Sequence, residues 1–204
     1  MEPPTGTKLK IVDAAIELFS EKGFHETSVR DIARQTGIRV SSLYSHFPGK
    51  DAILDAILQW YEAQVDQIRI PPEKLESVVD SVPPKKLLLT GFQRVKAVTG
   101  SPRMGQVIRI LVMEMYRNPR VREFYLKWYF EENQRSIQQV FKQMRRKGLI
   151  RKGSPEALAR MYNALVNHCY LEYFLCKAGG GETSSLEKHL ERFLSEIFDL
   201  FIEY

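Results

Sequence analysis

The sequence has few cysteines and no long apolar run, and both absences limit what the protein can be. Two cysteines in 204 residues do not make a disulfide framework. No segment approaches the roughly 18 uninterrupted apolar residues of a membrane-spanning helix. The first residues also lack the basic and apolar pattern of an export signal. We therefore expect a cytoplasmic protein with no membrane partner.

The residue patterns of common catalytic and metal sites are missing as well. The four histidines lie in separate segments, and none has the spacing of a metal ligand set. There is no phosphate-binding glycine loop and no nucleophile elbow. Cys169 and Cys176 would lie about two turns apart on one helix, which is too far for a disulfide. The sequence thus predicts no catalytic residue, no metal and no cofactor, and we expect a protein that is not an enzyme.

The composition is that of a globular protein whose charge is unevenly spread. Hydrophobic residues make up 44% of the chain and charged residues 27%, which allows a sizeable core. The formal net charge is +5. Residues 155–204 hold four basic and eight acidic residues, so the positive charge lies in the first part of the chain. A basic first part favours a polyanion partner, although basic surfaces are often simply solvated.

Proline and glycine positions divide the chain into segments with helical spacing, and none of these segments alternates as a strand would. We expect Thr7 to cap the first helix, Ser28 to form a capping box with Asp31, and Gly37 to end the second helix. We also expect Ser184 to form a capping box with Glu187 at the start of the last helix. Residues 69–84 hold four prolines and predict a loop with at most a short helical turn. The predicted helices lie at about 7–22, 28–36, 39–46, 50–68, 84–99, 103–117, 119–146, 155–177 and 184–204.

The two short helices around Gly37 have the arrangement of a helix-turn-helix motif. In such a motif the second helix enters the major groove and presents its first residues to the base edges. Leu43 and Phe47 would face the interior, which leaves a polar face outside. That face contains Arg39, Ser41, Ser42, Ser45 and His46. A helical hairpin with a solvated polar face has the same spacing, so the pattern alone leaves both interpretations open.

Four segments within the first 60 residues combine residue types and spacing. They are IVDAAIELF from Ile11, TSVRDIA from Thr27, SLYSHF from Ser42 and KDAIL from Lys50, with Gly23-Phe24 and Gly37-Ile38 between them. Together they closely resemble the DNA-binding domain of TetR-family transcriptional regulators. The resemblance covers roughly residues 7–60, and the rest of the chain agrees with the family only in helical character and length.

The resemblance implies an all-α fold with two domains. Residues 1–50 would form a three-helix helix-turn-helix DNA-binding domain, joined by a linking helix that ends at about residue 68. Residues 51–204 would form a helical effector-binding and dimerisation domain. The implied function is sequence-specific transcriptional regulation, most often repression, with release from a double-stranded DNA operator by a small apolar or amphipathic effector.

By the same resemblance, Thr27 and Ser28 would hold a phosphate at the start of the second helix. Tyr44 would donate its hydroxyl to a phosphate, and Lys50 would reach the DNA backbone. The residues that would face the groove are Arg39, Val40, Ser41, Ser42, Ser45 and His46. Arg39-Val40-Ser41 stands where many members have a run of the Ser-Lys-Gly type. Val40 would either touch a thymine methyl group or pack inside the domain.

The resemblance also implies a two-fold symmetric homodimer through the helices at 155–177 and 184–204, with recognition helices about 34 Å apart. The sequence of the 155–177 helix agrees with this implication, because that helix is apolar on nearly all sides and needs two packing partners. A single chain that covers both sides is the alternative.

Family members usually bind a small molecule in the second domain, and aromatic residues cluster in its candidate walls. The candidate pocket residues are Phe92, Met113, Glu114, Tyr116, Tyr125, Trp128, Tyr129, Tyr162 and His168. Aromatic residues at helical spacing also form ordinary cores. Two other functions therefore stay open. One is a helical small-molecule-binding protein or enzyme with a structural N-terminal hairpin, and the other is an architectural DNA binder without an effector.

Overall fold

The computed structural model describes residues 5–150 and 152–202, and this part of the chain is helical with no strand. The predicted all-α fold is confirmed. The helices are α1 (Gly6–Lys22), α2 (Val29–Thr36), α3 (Val40–His46), α4 (Lys50–Asp66), α5 (Pro72–Ser81), α6 (Pro84–Thr99), α7 (Pro102–Glu114), α8 (Pro119–Tyr125), α9 (Asn133–Arg146), α10 (Pro155–Ala178) and α11 (Ser184–Ile202). Residues 203 and 204 of the last predicted helix, like residues 1–4 of the predicted first domain, lie outside the described residues.

The helices group into two compact units. The first contains α1–α4 together with α7 and α8, and the second contains α5, most of α6, and α9–α11. The predicted boundary near residue 50 separates a DNA-binding domain from an effector-binding domain by function. The grouping of the helices does not test that boundary, which stays a prediction. Among the described helices, none is both long enough and apolar enough to cross a membrane.

The first unit has a single core to which all six of its helices contribute. Nine fully or almost fully buried side chains show how the helices share it: Ile11 and Phe19 from α1, Ile32 from α2, Leu43 from α3, Ile53 and Leu54 from α4, Val107 and Ile110 from α7, and Val121 from α8. Because α7 and α8 supply buried side chains to this core, the short helices α2 and α3 pack in a core that includes residues well beyond the first 67.

Local signals account for the ends of the first helices. The Ser28 hydroxyl accepts from the Asp31 N–H while the Asp31 carboxylate accepts from the Ser28 N–H, which confirms the predicted capping box. Gly37 ends α2 in the left-handed region at φ 69°, a conformation that glycine adopts without strain. The predicted cap at Thr7 is wrong, because α1 begins at Gly6 and Thr5 occupies the N-cap position.

The predicted loop at 69–84 is also wrong, because ten of its residues form α5. The paired prolines, which suggest a break, lie at its start. Pro72 takes the first helical position, where the N–H that proline lacks would have had no partner within the helix. Leu75, Val78 and Val79 then follow at helical spacing and pack against the core of the second unit. A proline at a helix start and one in a loop look alike in the sequence.

Two further details differ from the sequence-based expectation. The predicted helix at 119–146 is interrupted by a π-helical segment, Leu126–Glu132, between α8 and α9. At the start of α11, the Thr183 hydroxyl donates to the Glu187 carboxylate, whereas Ser184 had been expected to partner Glu187. Neither the π segment nor the one-residue shift changes which residues are helical.

The second unit is built around buried aromatic side chains. The Tyr162 ring stacks on Phe198 at 5.5 Å between centroids, and the Tyr170 ring stacks on Phe92 at 5.2 Å. Each tyrosine hydroxyl donates to a backbone carbonyl of α6, Tyr162 to Leu88 and Tyr170 to Phe92. Burial raises the pKa of both phenols, so both stay neutral and able to donate at physiological pH.

Candidate nucleic-acid interface

The third helix presents a polar outer face over a buried inner one. Leu43 is fully buried and Phe47 nearly so, and both belong to the core of the first unit. On the outer side Arg39 occupies the N-cap position, Ser41 and Ser45 are exposed, and Tyr44 is 52% exposed. This arrangement can deliver a guanidinium, hydroxyls and a phenol to a surface outside the protein.

Three of the predicted groove residues are less accessible than the others. Ser42 and His46 are half-buried, and the Ser42 carbonyl accepts from the Ser45 hydroxyl at 2.7 Å. Val40 is half-buried and packs against the core of the first unit. Of the two alternatives for Val40, its packing against the core is therefore present in the free protein.

The start of α2 carries the two residues expected to hold a phosphate. Ser28 is exposed, and its hydroxyl lies in the capping box with Asp31. Hydrogen bonds from the Ser28 hydroxyl and the Ser28 backbone N–H lower the pKa of the Asp31 carboxyl. Thr27 is buried, and its hydroxyl donates to the Gly23 carbonyl at 2.9 Å. The proton of the Thr27 hydroxyl is thus used inside the domain, and its phosphate contact stays a prediction.

Lys50, at the first position of α4, points toward the loop between α1 and α2. Its ammonium donates to the backbone carbonyls of Phe24 and, at 2.8 Å, of Thr27. It also lies 4.3 Å from the centroid of the Phe24 ring, a cation–π arrangement. Burial lowers the pKa of the Lys50 ammonium, while the carboxylates of Asp51, Glu114 and Glu26 oppose that shift. The predicted contact of Lys50 with the DNA backbone stays a prediction.

Exposed arginines add positive charge to this region. Arg30 and Arg34 lie on α2 and are exposed, as is Arg39 before α3. Arg34 is 3.6 Å from the Asp31 carboxylate, and at 80% side-chain exposure it remains open to a polyanion. Such side chains supply the salt-dependent part of binding to a nucleic acid.

The predicted pocket residues do not form one cluster within either unit. The first unit holds Met113, Glu114, Tyr116 and Tyr125, and the second holds Phe92, Trp128, Tyr129, Tyr162 and His168. Tyr116 is 83% exposed and His168 is exposed, whereas Phe92 and Tyr162 are buried in stacked pairs. Glu114 is buried, and its carboxylate accepts from the backbone N–H of Phe24. Their roles toward an effector stay predictions.

The second unit contains a small apolar cavity of about 10 Å³, roughly the space of one water molecule. Its lining consists of Leu88, Phe141, Leu158, Tyr162, Leu165 and Phe198. Tyr162 is the one of these that the sequence had suggested. Leu158, Tyr162 and Leu165 recur at helical spacing on α10, a signal that marks a buried face but does not distinguish a pocket wall from a filled core. Among the described residues, no group of three or more metal-ligating side chains comes together.

Two family models match this chain. Residues 11–57 match the model of the bacterial regulatory proteins of the tetR family, and residues 86–202 match that of the C-terminal domain of AefR-like transcriptional repressors. The chain belongs to the TetR family. The resemblance inferred from the N-terminal motifs is thereby confirmed. The second match extends it to residues 86–202, a region in which the sequence motifs gave no match.

Curated relatives match over part of the chain. The transcriptional regulator UidR of Escherichia coli K12 is 40% identical over 73 residues, which are 35% of this chain and 37% of that protein. The transcriptional repressor KstR2 of Rhodococcus jostii is 42% identical over 57 residues, 28% of each chain. The matched segments thus span 37% and 28% of the length of these two relatives.

Solved structures agree with the fold over nearly the whole chain. GusR of Salmonella enterica aligns with a TM-score of 0.70 at 24% identity, covering 100% of this chain and 99% of that one. The complex of SmeT with triclosan aligns with a TM-score of 0.68 at 20% identity, covering 96% and 91%. At these identities the likeness shows the fold shared with the TetR family.

Proposed function

We propose that this chain is a DNA-binding transcriptional repressor that acts as a homodimer and is released from its operator by a small apolar or amphipathic effector. The observation that carries the proposal is the outer face of α3, where Arg39, Ser41, Tyr44 and Ser45 are exposed above the buried Leu43. Such a repressor would work beside the bacterial chromosome, in the cytoplasm. It would have no catalytic role.

The residues of this face would divide between base reading and positioning. Arginine is the commonest bidentate reader of guanine, and Arg39 lies at the N-terminal end of α3, the end that enters the groove in such motifs. Ser41, Ser42, Ser45 and His46 would line the groove behind it. Tyr44 would donate to a phosphate and fix the register, together with Ser28 at the start of α2.

The proposed dimer has a mostly apolar stripe on α10 at its centre, in which His168 is the polar member. Met161 is 41% exposed, Leu171 55% and Leu175 65%, and the exposed Ala164 and His168 lie between them. These five residues recur every three or four positions, so they share one side of the helix. The opposite side packs in the core of the second unit. A second copy of this stripe, with α11 beside it, would remove the exposed leucines from water.

The effector part of the proposal is supported by a ligand-bound structural neighbour, and it concerns the small apolar cavity of the second unit. Apolar side chains line it, and the phenol of Tyr162 is the polar group among the lining residues. Typical ligand pockets enclose about 300–1,000 Å³, so this cavity of about 10 Å³ would have to widen before a small apolar molecule could enter it. The triclosan bound to SmeT is a precedent in a structural neighbour.

Selection of duplexes from a random library tests the DNA-binding part. The full chain should enrich one two-fold symmetric sequence, and its affinity should fall with salt with a log–log slope of roughly −3.5 to −7 for the dimer. Absence of any enriched sequence, or a flat salt dependence, would overturn the proposal and favour a small-molecule carrier.

Two substitutions on α3 then separate the proposed roles. Tyr44→Phe should weaken binding to the enriched and to a shuffled duplex about equally, because it removes a phosphate contact. Arg39→Ala should mainly reduce the preference between the two duplexes, by about 1–3 kcal/mol. Tyr116→Phe, at an 83% exposed tyrosine of the same unit, is the matched control and should change neither affinity. An unchanged preference in Arg39→Ala would remove Arg39 from base reading.

A further inference from the structure

The five residues 23–27, between the end of α1 and the N-cap of α2, are fixed by side chains from two distant helices. The Phe24 backbone N–H donates to Oε1 of Glu114, the last residue of α7, at 2.9 Å. The carbonyls of Phe24 and Thr27 accept from the Lys50 ammonium of α4. A carboxylate and an ammonium, which lie 64 positions apart in the sequence, therefore bind the same short loop from α7 and from α4.

The fit around Glu114 is close. The residue is 3% exposed. Gly23 lies against it at φ 89°, and a Cβ on that residue would come within 3.3 Å of Oε1, so the glycine provides the space that the carboxylate occupies. The imidazole Nε2 of His25 lies 3.8 Å from Oε2. A buried carboxylate is costly unless it is hydrogen-bonded, so the bond to Phe24 is the main direct compensation for its burial.

The loop leads directly into the start of α2. Thr27 is its last residue, and its hydroxyl returns to the carbonyl of Gly23, so the loop is closed on itself. Ser28 follows at once as the cap of α2. Any shift of the Phe24 backbone is therefore transmitted over four residues to the hydroxyl that the proposed function places on a DNA phosphate.

We propose that Glu114 is a positioning residue for DNA binding, which holds the α1–α2 loop and, through it, the start of α2. The inference rests on the proposed function, because it assigns the residue to the proposed contact with DNA. Reach, rather than charge, is the property that matters. The carboxylate must place an acceptor on the Phe24 N–H, and an acidic group by itself would repel a polyanion.

Two substitutions separate reach from charge. Glu114→Gln keeps the length of the side chain and an oxygen acceptor but removes the charge. Glu114→Asp keeps the charge but shortens the side chain by one methylene, so the acceptor withdraws from the Phe24 N–H. Glu123→Gln, at an exposed carboxylate of α8 in the same unit, is the control for a lost negative charge.

The first measurement needs no DNA. Hydrogen–deuterium exchange of the peptide that contains Phe24 should be faster in Glu114→Asp than in the wild-type chain, and close to wild type in Glu114→Gln and Glu123→Gln. The second measurement uses the duplex that the wild-type chain enriches. Glu114→Asp should bind it about 10- to 100-fold more weakly with an unchanged salt slope, whereas Glu114→Gln should keep most of the affinity.

The opposite pattern, with the Asp variant binding like wild type and the Gln variant weakened, would overturn the inference in favour of a charge effect. Wild-type binding by both variants would overturn it as well. If both bind weakly, unchanged exchange at Phe24 overturns it and faster exchange supports it. A wild-type chain that enriches no duplex defeats the proposed function, while the exchange measurement still decides whether Glu114 holds the loop.

Discussion

At the residue scale, the pair of Ser28 and Asp31 links the stability of α2 to pH. Ser28→Ala should lower the free energy of unfolding at pH 7 by about 1 kcal/mol, because it removes the side-chain acceptor at the N-cap. The folded pKa of Asp31 is lowered by its bonds to Ser28, so their stabilising effect is present above the unfolded value and is lost as the pH falls through the folded one. The effect of the substitution should therefore shrink below about pH 4.

Urea denaturation of wild type and Ser28→Ala at pH 7 and pH 3 measures that change. Ser41→Ala is the matched control, since Ser41 is an exposed serine of α3. If Ser28→Ala changed the free energy of unfolding equally at both pH values, the pKa of Asp31 would not depend on the Ser28 side chain.

The two cysteines should differ in reactivity. Burial, with a smaller effect of the Glu172 carboxylate, raises the pKa of the Cys169 thiol to about 11, and its side chain is fully buried. Cys176 is half-buried. At pH 8 a thiol reagent should modify Cys169 at least about tenfold more slowly than Cys176, because the thiolate is the reacting form.

Stopped-flow labelling of the single variants checks this order. Cys176→Ser should abolish the fast phase and Cys169→Ser should leave it intact. A fast phase that survives in Cys176→Ser would place the reactive thiol at Cys169.

Residue-scale prediction from the sequence succeeded where the contacts are local. The capping box of Ser28 and Asp31 and the glycine end of α2 depend on residues at most a few positions apart, and both were foreseen. The bond from the Phe24 N–H to Glu114 joins residues 90 positions apart. Glu114 had been assigned to an effector pocket, since the sequence contains no signal that pairs α7 with this loop.

At the scale of elements, α10 has one buried side and one apolar exposed side. Leu171→Glu should convert the proposed dimer to a monomer at micromolar concentration, because it would bury a carboxylate in an apolar interface. Sedimentation velocity measures the change. Val112→Glu is the matched control, since Val112 is a 44% exposed apolar residue of α7, and it should leave the assembly unchanged. A dimer that persists in Leu171→Glu would place the interface elsewhere.

The elements themselves were largely foreseen because proline, glycine and apolar spacing mark helix ends. The sequence does not predict α5 because Pro71 and Pro72 indicate a break, although a proline at the first helical position removes no hydrogen bond. The π-helical segment at Leu126–Glu132 was missed for a different reason. A change from α to π geometry leaves the residue types of a helix unaltered, so neither spacing nor composition reports it.

At the scale of the whole molecule, the first unit depends on α7 and α8, two helices from the middle of the chain. A fragment of residues 1–67 would lack Val107, Ile110, Leu111 and Val121, all at most 2% exposed in the shared core. Four such side chains contribute about 6–12 kcal/mol of apolar burial, comparable with the stability of a typical domain. The fragment should therefore show no cooperative thermal transition by circular dichroism under conditions in which the full chain does.

A fragment that melts cooperatively near the full-chain temperature would contradict this view of the core. The sequence did predict helical N-terminal and C-terminal regions, and the family resemblance was specific. It could not predict that α7 and α8 pack with α1–α4, because their apolar faces fit either unit by periodicity alone. Which partner a helix chooses depends on packing between residues far apart in the chain.

The shared core also has a practical consequence for engineering hybrid biosensors. A chimera that joined residues 1–67 of this chain to the sensing region of another family member would leave Ile11, Ile53 and Leu54 against foreign side chains. A graft that transferred residues 98–127 together with residues 1–67 would preserve the native packing partners of these three side chains. The unit to transfer is thus discontinuous in the sequence, and a single crossover point after α4 would divide its hydrophobic core between two proteins.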